Sequence, residues 1–487
     1  MTDDFDPTSK PLTTLVMKFG GTSVGSSAAM RQVIDIVRQT RAQIPRVVVV
    51  TSAMAKVTNL LLEGANQAAL GEINTASLAS ENLRAIHHTV SQELIHQPSQ
   101  RTEVDYEIDG LIDHFCSLCE AISVLGEATP RALDAVASLG ERMSVRLLTA
   151  ILNSAGISSK FLEATQLIVT DSHFQDAHPN FEASAILSRQ NINPVLDQGL
   201  VPVITGFIAA DEVGLTTTLG RGGSDYSAAI IGAVLPAEDV WIWTDVDGVM
   251  SADPRLVPAA RTIPELTYRE VAELAYYGAK VLHPKTIRPV LEAGIGLRIC
   301  NTFNPSHPGT RLIEDKTEQS NSVRGSIKAV TAIGGQRLVT VEGRGMLGVP
   351  GVAARAFGAV ASTGTSVPLI TQSSSEQSIC FAVPSEAAQV VIDALHQVFT
   401  RELSIRDIDR IWATEEVAII TIVGAGMIHT PGIAGRIFSR LGQNDINVIA
   451  IAQGSSEVSI SLVVSGVETQ AALTCLHDLT NGSEKPG

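Results

Sequence analysis

The stretch TTTLGRGGSDYSAA (Thr216–Ala229) constrains this chain more than any other. It is polar and crowded with glycines and hydroxyls, yet it lies between two apolar runs. VPVITGFIAA (Val201–Ala210) predicts a buried strand and YSAAIIGAVL (Tyr226–Leu235) a helix. A loop from a strand into a helix N-terminus presents free backbone N–H groups and partial positive charge, which suits an anion. Gly220, Gly222 and Gly223 allow close backbone approach and positive φ. Arg221 is able to grip a carboxylate or phosphate on two prongs, and Asp225 sets a carboxylate nearby. The same residues also suit a plain glycine turn with a Ser/Asp helix cap, so the rest of the chain has to decide.

The arrangement recurs at the start. LVMKFGGTSVG (Leu15–Gly25) predicts a short strand, a GGTS turn and then a helix. These are the parts of a phosphate cradle, with Lys18 as the charge, Gly20 and Gly21 as the turn, and Thr22 and Ser23 as hydroxyl donors. The Walker pattern GxxxxGK[ST] is absent from the chain. RVVVVTSAM (Arg46–Met54) is an uninterrupted β-branched run, as expected for a parallel strand buried on both faces. ASLGERMSVRLLTAIL (Ala137–Leu152) predicts a helix with Glu141 near its start, and KFLEATQLIVT (Lys160–Thr170) a strand region. DVWIWTDVDG (Asp239–Gly248) predicts a strand whose carboxyl end carries carboxylates, the edge where open α/β sheets bind ligands. The helical segment Thr267–Gly294 carries Lys280. Strands and helices alternate to about Thr310, which predicts one large α/β domain over 13–312 with a mainly parallel sheet between helices. Residues 1–12 read as a flexible tail and 313–330 as a polar linker.

The remainder is duplicated. LVTVEGRGMLGVPGVAARAFGAV (Leu338–Val360) matches IITIVGAGMIHTPGIAGRIFSRL (Ile419–Leu441), and LITQSSSEQSICFAV (Leu369–Val383) matches AIAQGSSEVSISLVV (Ala450–Val464). Gln372 and Gln453 are 453 − 372 = 81 residues apart, as are Gly345 and Gly426. Each copy predicts a βαββ unit, over 331–412 and 413–487. A unit that small leaves a sheet edge or face to be covered by its copy or by another subunit.

Composition narrows the function. Over 487 residues the net charge is −16, which argues against nucleic acid but not against a small anion met by local cations. No apolar run reaches the length of a membrane span, and MTDDFDPTSK has no signal-peptide core, so a cytoplasmic protein is expected. Cys116 and Cys119 form a lone CxxC with no second pair, and helical packing is the expected role.

Together, KFGGTSVG (Lys18–Gly25), TTLGRGGSDYSAA (Thr217–Ala229), WTDVDGVMSADPR (Trp243–Arg255) and GAKVLHP (Gly278–Pro284) resemble the signatures of the aspartokinases, members of the amino-acid kinase superfamily. The duplicated tail resembles paired ACT domains. The likeness runs in family order from about residue 14 to 465 and comes nearest to the kinase part of threonine-sensitive aspartokinase–homoserine dehydrogenases. The chain ends about twenty residues after the second copy, so a kinase-only protein, or the kinase-only portion of a longer one, is expected.

The resemblance implies transfer of the ATP γ-phosphate, with Mg²⁺, to the β-carboxylate of L-aspartate. This is the first step of lysine, threonine and methionine biosynthesis. It implies Lys18 and Asp225 as catalytic residues. It implies Lys18, Gly20, Gly21, Thr22, Ser23, Thr244, Asp245, Arg255 and Lys280 at the nucleotide. Ser52, Thr58, Glu141, Arg221, Gly222, Gly223 and Ser224 would contact aspartate, with Glu141 on its ammonium group. No protein metal ligands are implied. Feedback by threonine, with lysine as the alternative, would act through Met346, Gly351, Val352, Gln372 and Gln453. A homodimer or dimer of dimers through the ACT domains is implied. Met250 stands where many relatives have tyrosine, so a hydroxyl contact to the nucleotide is missing there. The competing readings are another kinase of the superfamily and a non-catalytic amino-acid sensor.

Overall fold

The computed structural model describes residues 13–278, 282–314, 326–344, 351–372, 377–454 and 457–481. The chain divides into two compact units. The first comprises residues up to 249, with 264–266 and 281–314. The second comprises 250–263, 267–280 and 315 onward. The units are therefore not consecutive stretches: two segments ahead of residue 281 cluster with the C-terminal unit.

In the first unit six strands run parallel, in the order Ser159–Leu162, Val201–Thr205, Arg46–Thr51, Thr14–Phe19, Asp239–Thr244 and Gly296–Asn301. Thr310–Ile313 adds an antiparallel strand beside the last of these. Thr14–Phe19 is buried throughout and Arg46–Thr51 nearly so, as the unbroken apolar runs predict for central strands. The chain starts in the middle of the sheet, builds outward on one side, and returns to Thr14–Phe19 on the other through Asp239–Thr244. That reversal places a crevice at the carboxyl ends of the central strands. One apolar core gathers Leu15, Met17, Phe19, Val47 and Val49 from these strands with Leu139, Met143 and Leu147 from the helix Pro130–Ser154. The CxxC lies in the helix Pro98–Leu125. Cys119 packs into the same core, and burial pushes its thiol up to about 12.

The second unit is an antiparallel sheet with strand order Ile370–Gln372, Ser378–Pro384, Ala329–Glu342, Val417–Val423, Ser459–Ser465, Ala450–Gln453. The two copies keep their 81-residue offset in three dimensions. Helices Val352–Ser362 and Ile433–Gln443 both follow left-handed glycine caps, Gly351 at φ 88° and Gly432 at φ 89°. A second helix closes each copy, Ala388–Val398 and Thr469–His477, so the unit is βαββα rather than βαββ. The copies also interlace. The 14-residue strand Ala329–Glu342 shifts register between Ile333 and Gln336. Its first half pairs with Val417–Val423 of copy two, while Gln336–Glu342 pairs with Ser378–Pro384 of copy one. Arg410–Ala413, which follows the helices of copy one, returns to pair with Val339–Glu342. Each copy thus takes its fourth strand from outside the repeated sequence.

Two further segments of this unit are fastened to copy two. Ser251 Oγ lies 2.8 Å from His477 Nε2, and Val330 N donates to the Ser251 carbonyl at 2.8 Å. On the helix Tyr268–Tyr276, capped by a Thr267/Glu270 capping box, Glu270 bonds Lys328 and the Ala425 N–H. Glu273 accepts from Ser459 Oγ at 2.7 Å.

Candidate active site

The crevice of the first unit is built from strand ends. Ser52 N donates to the Phe19 carbonyl at 3.1 Å, Gly206 N to Thr51 at 2.8 Å and Gly20 N to Trp243 at 3.1 Å. These bonds tie the turns that leave the central strands into one floor. Gly222 (φ 72°) then caps the helix Gly223–Val234. A Cβ at Gly222 would lie 2.6 Å from His283 Cβ, so both conformation and space demand glycine. The first turn of that helix aims Asp225 back at the floor, where its Oδ1 meets Lys18 Nζ at 2.6 Å. Both side chains are largely buried, at 10% and 16% exposure.

This ion pair opens onto a cavity of about 550 Å³. Of the residues expected at aspartate, all seven line it: Ser52, Thr58, Glu141, Arg221, Gly222, Gly223 and Ser224. Lys18, Gly21 and Asp225 line it as well. Glu141 is not at a helix start. It sits in the middle of Pro130–Ser154 and is only 3% exposed. Its Oε1 accepts from Ala53 N at 3.1 Å, while Oε2 is buried with no hydrogen-bond partner. Burial pushes its carboxyl up to about 8, against the pull of that N–H and of Lys18. A buried carboxylate with one vacant oxygen suits a cationic ligand group. Arg221 is exposed at the cavity wall, and no carboxylate among the described residues lies within ion-pair distance of it.

The expected nucleotide residues are more scattered. Gly20 is buried beside Lys18, where an added Cβ would come within 3.3 Å of Nζ. Thr22 is exposed, but Ser23 faces inward, fully buried, with its Oγ 2.7 Å from Thr302 Oγ1. That hydroxyl braces the turn. Thr244 and Asp245 end the neighbouring strand and bond each other at 3.3 Å. Arg255 belongs to the second unit and pairs with Asp253 at 2.5 Å. Met250 is there too, its Sδ 3.6 Å from Thr262 Oγ1. Gly351, Val352, Gln372 and Gln453 also lie in the second unit. The two glutamines are exposed at the ends of edge strands Ile370–Gln372 and Ala450–Gln453. Lys280 and Met346 fall outside the described residues.

Residues 13–301 match the amino acid kinase family, and residues 339–399 and 420–479 match the ACT domain. Aspartokinase 2, chloroplastic, of Arabidopsis thaliana is 32% identical over 480 residues, which cover 98% of this chain and 86% of that protein. The chain belongs to the aspartokinases.

Other aspartokinases extend the comparison. The bifunctional aspartokinase/homoserine dehydrogenase 1 of Zea mays is 36% identical over 463 residues, 95% of this chain but 50% of that protein. The chain spans about half the length of such bifunctional relatives. Among solved structures, E. coli aspartokinase III in complex with aspartate and ADP matches with a TM-score of 0.78 at 30% identity, covering 96% of this chain and 99% of that one. The same enzyme in complex with lysine and aspartate gives 0.76 at 32% identity, covering 97% and 100%.

Two features of this aspartokinase cavity escaped the sequence. Asp134 is buried and lines the cavity; its carboxylate accepts from Thr218 N (3.0 Å), Thr218 Oγ1 (2.7 Å) and Gln175 N (3.0 Å). It pins the glycine loop to the helix Pro130–Ser154. A signal was present: Asp134, Ser138 and Glu141 fall at i, i+4 and i+7, a polar stripe on one helix face. The second feature is backbone strain. Lys56, Gln175 and Phe207, none of them glycine, hold φ of 72°, 71° and 65°, and all three line the cavity. Such conformations cost about 1–2 kcal/mol each and cluster at functional sites.

Proposed function

We propose that this chain transfers the γ-phosphoryl group of ATP to the β-carboxylate of L-aspartate, giving 4-phospho-L-aspartate and ADP. The observation that carries the reading is the Lys18–Asp225 pair opening onto a cavity that also holds the vacant oxygen of Glu141 and the guanidinium of Arg221. Aspartate offers the complement: an ammonium group for Glu141 and carboxylates for cations. Its β-carboxylate, with an ordinary pKa near 4, is ionised at neutral pH and needs no general base. An oxygen of that carboxylate attacks the γ-phosphorus, the bond to the ADP β-phosphate oxygen breaks, and no proton moves. What the reaction needs is alignment of two anions and positive charge near the transferring group. Lys18 supplies that charge, and Asp225 holds its ammonium in place. Arg221, with Ser224 and the amides of Gly222 and Gly223, takes a substrate carboxylate, while Ser52 and Thr58 offer hydroxyls. Thr244, Asp245, Arg255 and Lys280 are assigned to the nucleotide. Among the described residues no cluster of three or more His, Cys, Asp or Glu is placed to hold a metal ion. Mg²⁺ is assigned to the nucleotide phosphates, which bind it with few protein ligands.

Feedback control is assigned to the second unit. Gln372 and Gln453 end equivalent edge strands of the two copies, and threonine is the favoured effector, with lysine the alternative. The exposed edges of that sheet are assigned to self-association as a homodimer or dimer of dimers. The test is formation of aspartyl hydroxamate with aspartate and MgATP, with and without threonine or lysine. Activity in the wild type that Lys18→Ala abolishes supports the reading; undiminished transfer by Lys18→Ala overturns the catalytic assignment. Inhibition by lysine alone keeps the kinase and replaces the effector. Threonine binding without any transfer favours the amino-acid sensor.

A further inference from the structure

The charges that line the cavity are Lys18, Lys56 and Arg221 against Asp134, Glu141 and Asp225. Internal bonding removes most of them. Lys18 is paired with Asp225, and Asp134 is saturated by Thr218 and Gln175. Two cations remain with no carboxylate of the described residues within ion-pair distance, Lys56 and Arg221. One acid remains with a vacant oxygen, Glu141, which burial keeps protonated near neutral pH until a cation meets it. Two cations and one acid that becomes anionic against a docked ammonium are the mirror of an α-amino dicarboxylate, which carries two carboxylates and one ammonium.

The backbone of Lys56 points the same way. It stands at φ 72°, ψ −12°, ahead of the helix Val57–Ala69, and its side chain makes no capping hydrogen bond. Glycine would adopt that conformation without strain. Lysine there weakens the fold and gains it no ion pair. Strain held on a cavity wall by a residue with no structural partner is the mark of a residue kept for a ligand.

We propose that Lys56 is a substrate-binding cation, its ammonium taking one carboxylate of the dicarboxylate while Arg221 takes the other. The inference rests on the aspartate-kinase reading and adds a residue, outside the family motifs identified above, that sets affinity for the acceptor rather than for the nucleotide.

The test compares Lys56→Gly, Lys56→Gln and Lys56→Arg with the wild type, in aspartate and MgATP kinetics and in thermal melts. Loss of a charge-assisted bond is expected to raise the KM for aspartate about tenfold in the Gly and Gln variants. The KM for MgATP should stay within about twofold and kcat should change less than KM. Lys56→Gly should also melt about 1–3 °C higher, because the strain is relieved while the ligand contact is lost. Lys56→Arg should recover most of the affinity with no gain in Tm. Gly and Gln variants with unchanged aspartate KM overturn the inference, as does a rise confined to the MgATP KM. A wild type that neither binds nor phosphorylates aspartate refutes the underlying reading itself.

Discussion

Two glutamates are buried among the described residues, one in each unit, and they are treated in opposite ways. Glu270, on the helix Tyr268–Tyr276, is 0% exposed, and both its oxygens are used. Oε2 accepts from Thr267 N and from Lys328 Nζ, each at 2.8 Å, and Oε1 from Ala425 N at 2.7 Å. Glu141 is 3% exposed and receives one N–H, with its second oxygen left vacant. A satisfied buried carboxylate works as a strut, joining the ends of three segments. An unsatisfied one costs stability and stays ready for a cation. Burial alone therefore does not separate a structural acid from a binding one; the count of donors does.

The largest expected effect is at the strut. Glu270→Ala removes the acceptor shared by Thr267, Lys328 and Ala425 and should cost about 3–5 kcal/mol in chemical denaturation. A loss below about 1 kcal/mol would erase the contrast. Glu141→Gln should act with the opposite sign. The Glu141 carboxyl rises from an ordinary 4.5 to about 8 on folding, so the folded state keeps its proton longer than the unfolded state. The stability it contributes is complete below pH 4.5 and is lost as pH climbs to 8, at up to about 1.4 kcal/mol per pH unit. Glutamine does not ionise, so the variant should match the wild type near pH 4.5. It should exceed the wild type by on the order of 3 kcal/mol at pH 8, read from melts across that range. The same variant should lose aspartate affinity. A related readout is calorimetric: an ammonium group docking on Glu141 at pH 7 should release up to about one proton per aspartate bound, seen as a dependence of binding heat on buffer. Binding heats that do not vary with buffer would place the ammonium elsewhere.

The smallest effect concerns a histidine present in both repeat copies. His477 is 1% exposed against Ser251, and burial together with Arg261 holds its pKa below the usual value. The unfolded chain takes up that proton below about pH 6.5, so stability falls as pH drops through this range. His477→Gln should remove that decline, read from melts between pH 7 and 5.5. Its counterpart 81 residues earlier, His396, is exposed, and His396→Gln should change stability by less than about 0.5 kcal/mol.

Much of the cavity was legible because its parts are local. A strand, a glycine turn and a helix start occupy adjacent residues, and they delivered Lys18, Arg221, Gly222 and Asp225 to one place. The duplication was legible as a fixed offset, and Gly351 and Gly432 keep it to within a degree of φ. What escaped depends on distant partners. The burial of Glu141 is set by the Ala53 turn, 88 residues away. Asp134 gains its role from Thr218 and Gln175. Ser23 turns inward because Thr302 waits there. The fourth strand of each repeat copy carries no repeat signal, so pairing across the sheet had to reveal it. The helix Tyr268–Tyr276, contiguous in sequence with the kinase motifs, clusters with the second unit through Glu270 and Glu273.

The shared strand Ala329–Glu342 has a consequence for how the chain is made. Val330 finds its partner at Ile422, 422 − 330 = 92 residues later. As the polypeptide leaves the ribosome, copy one is able to fold while this half-strand stands as a bare edge awaiting copy two. At about 5–20 residues per second, that edge is exposed for some seconds in every molecule synthesised. A translational pause inside copy two would lengthen the exposure, and the nascent chain would then meet its neighbours on the polysome through an unpaired strand.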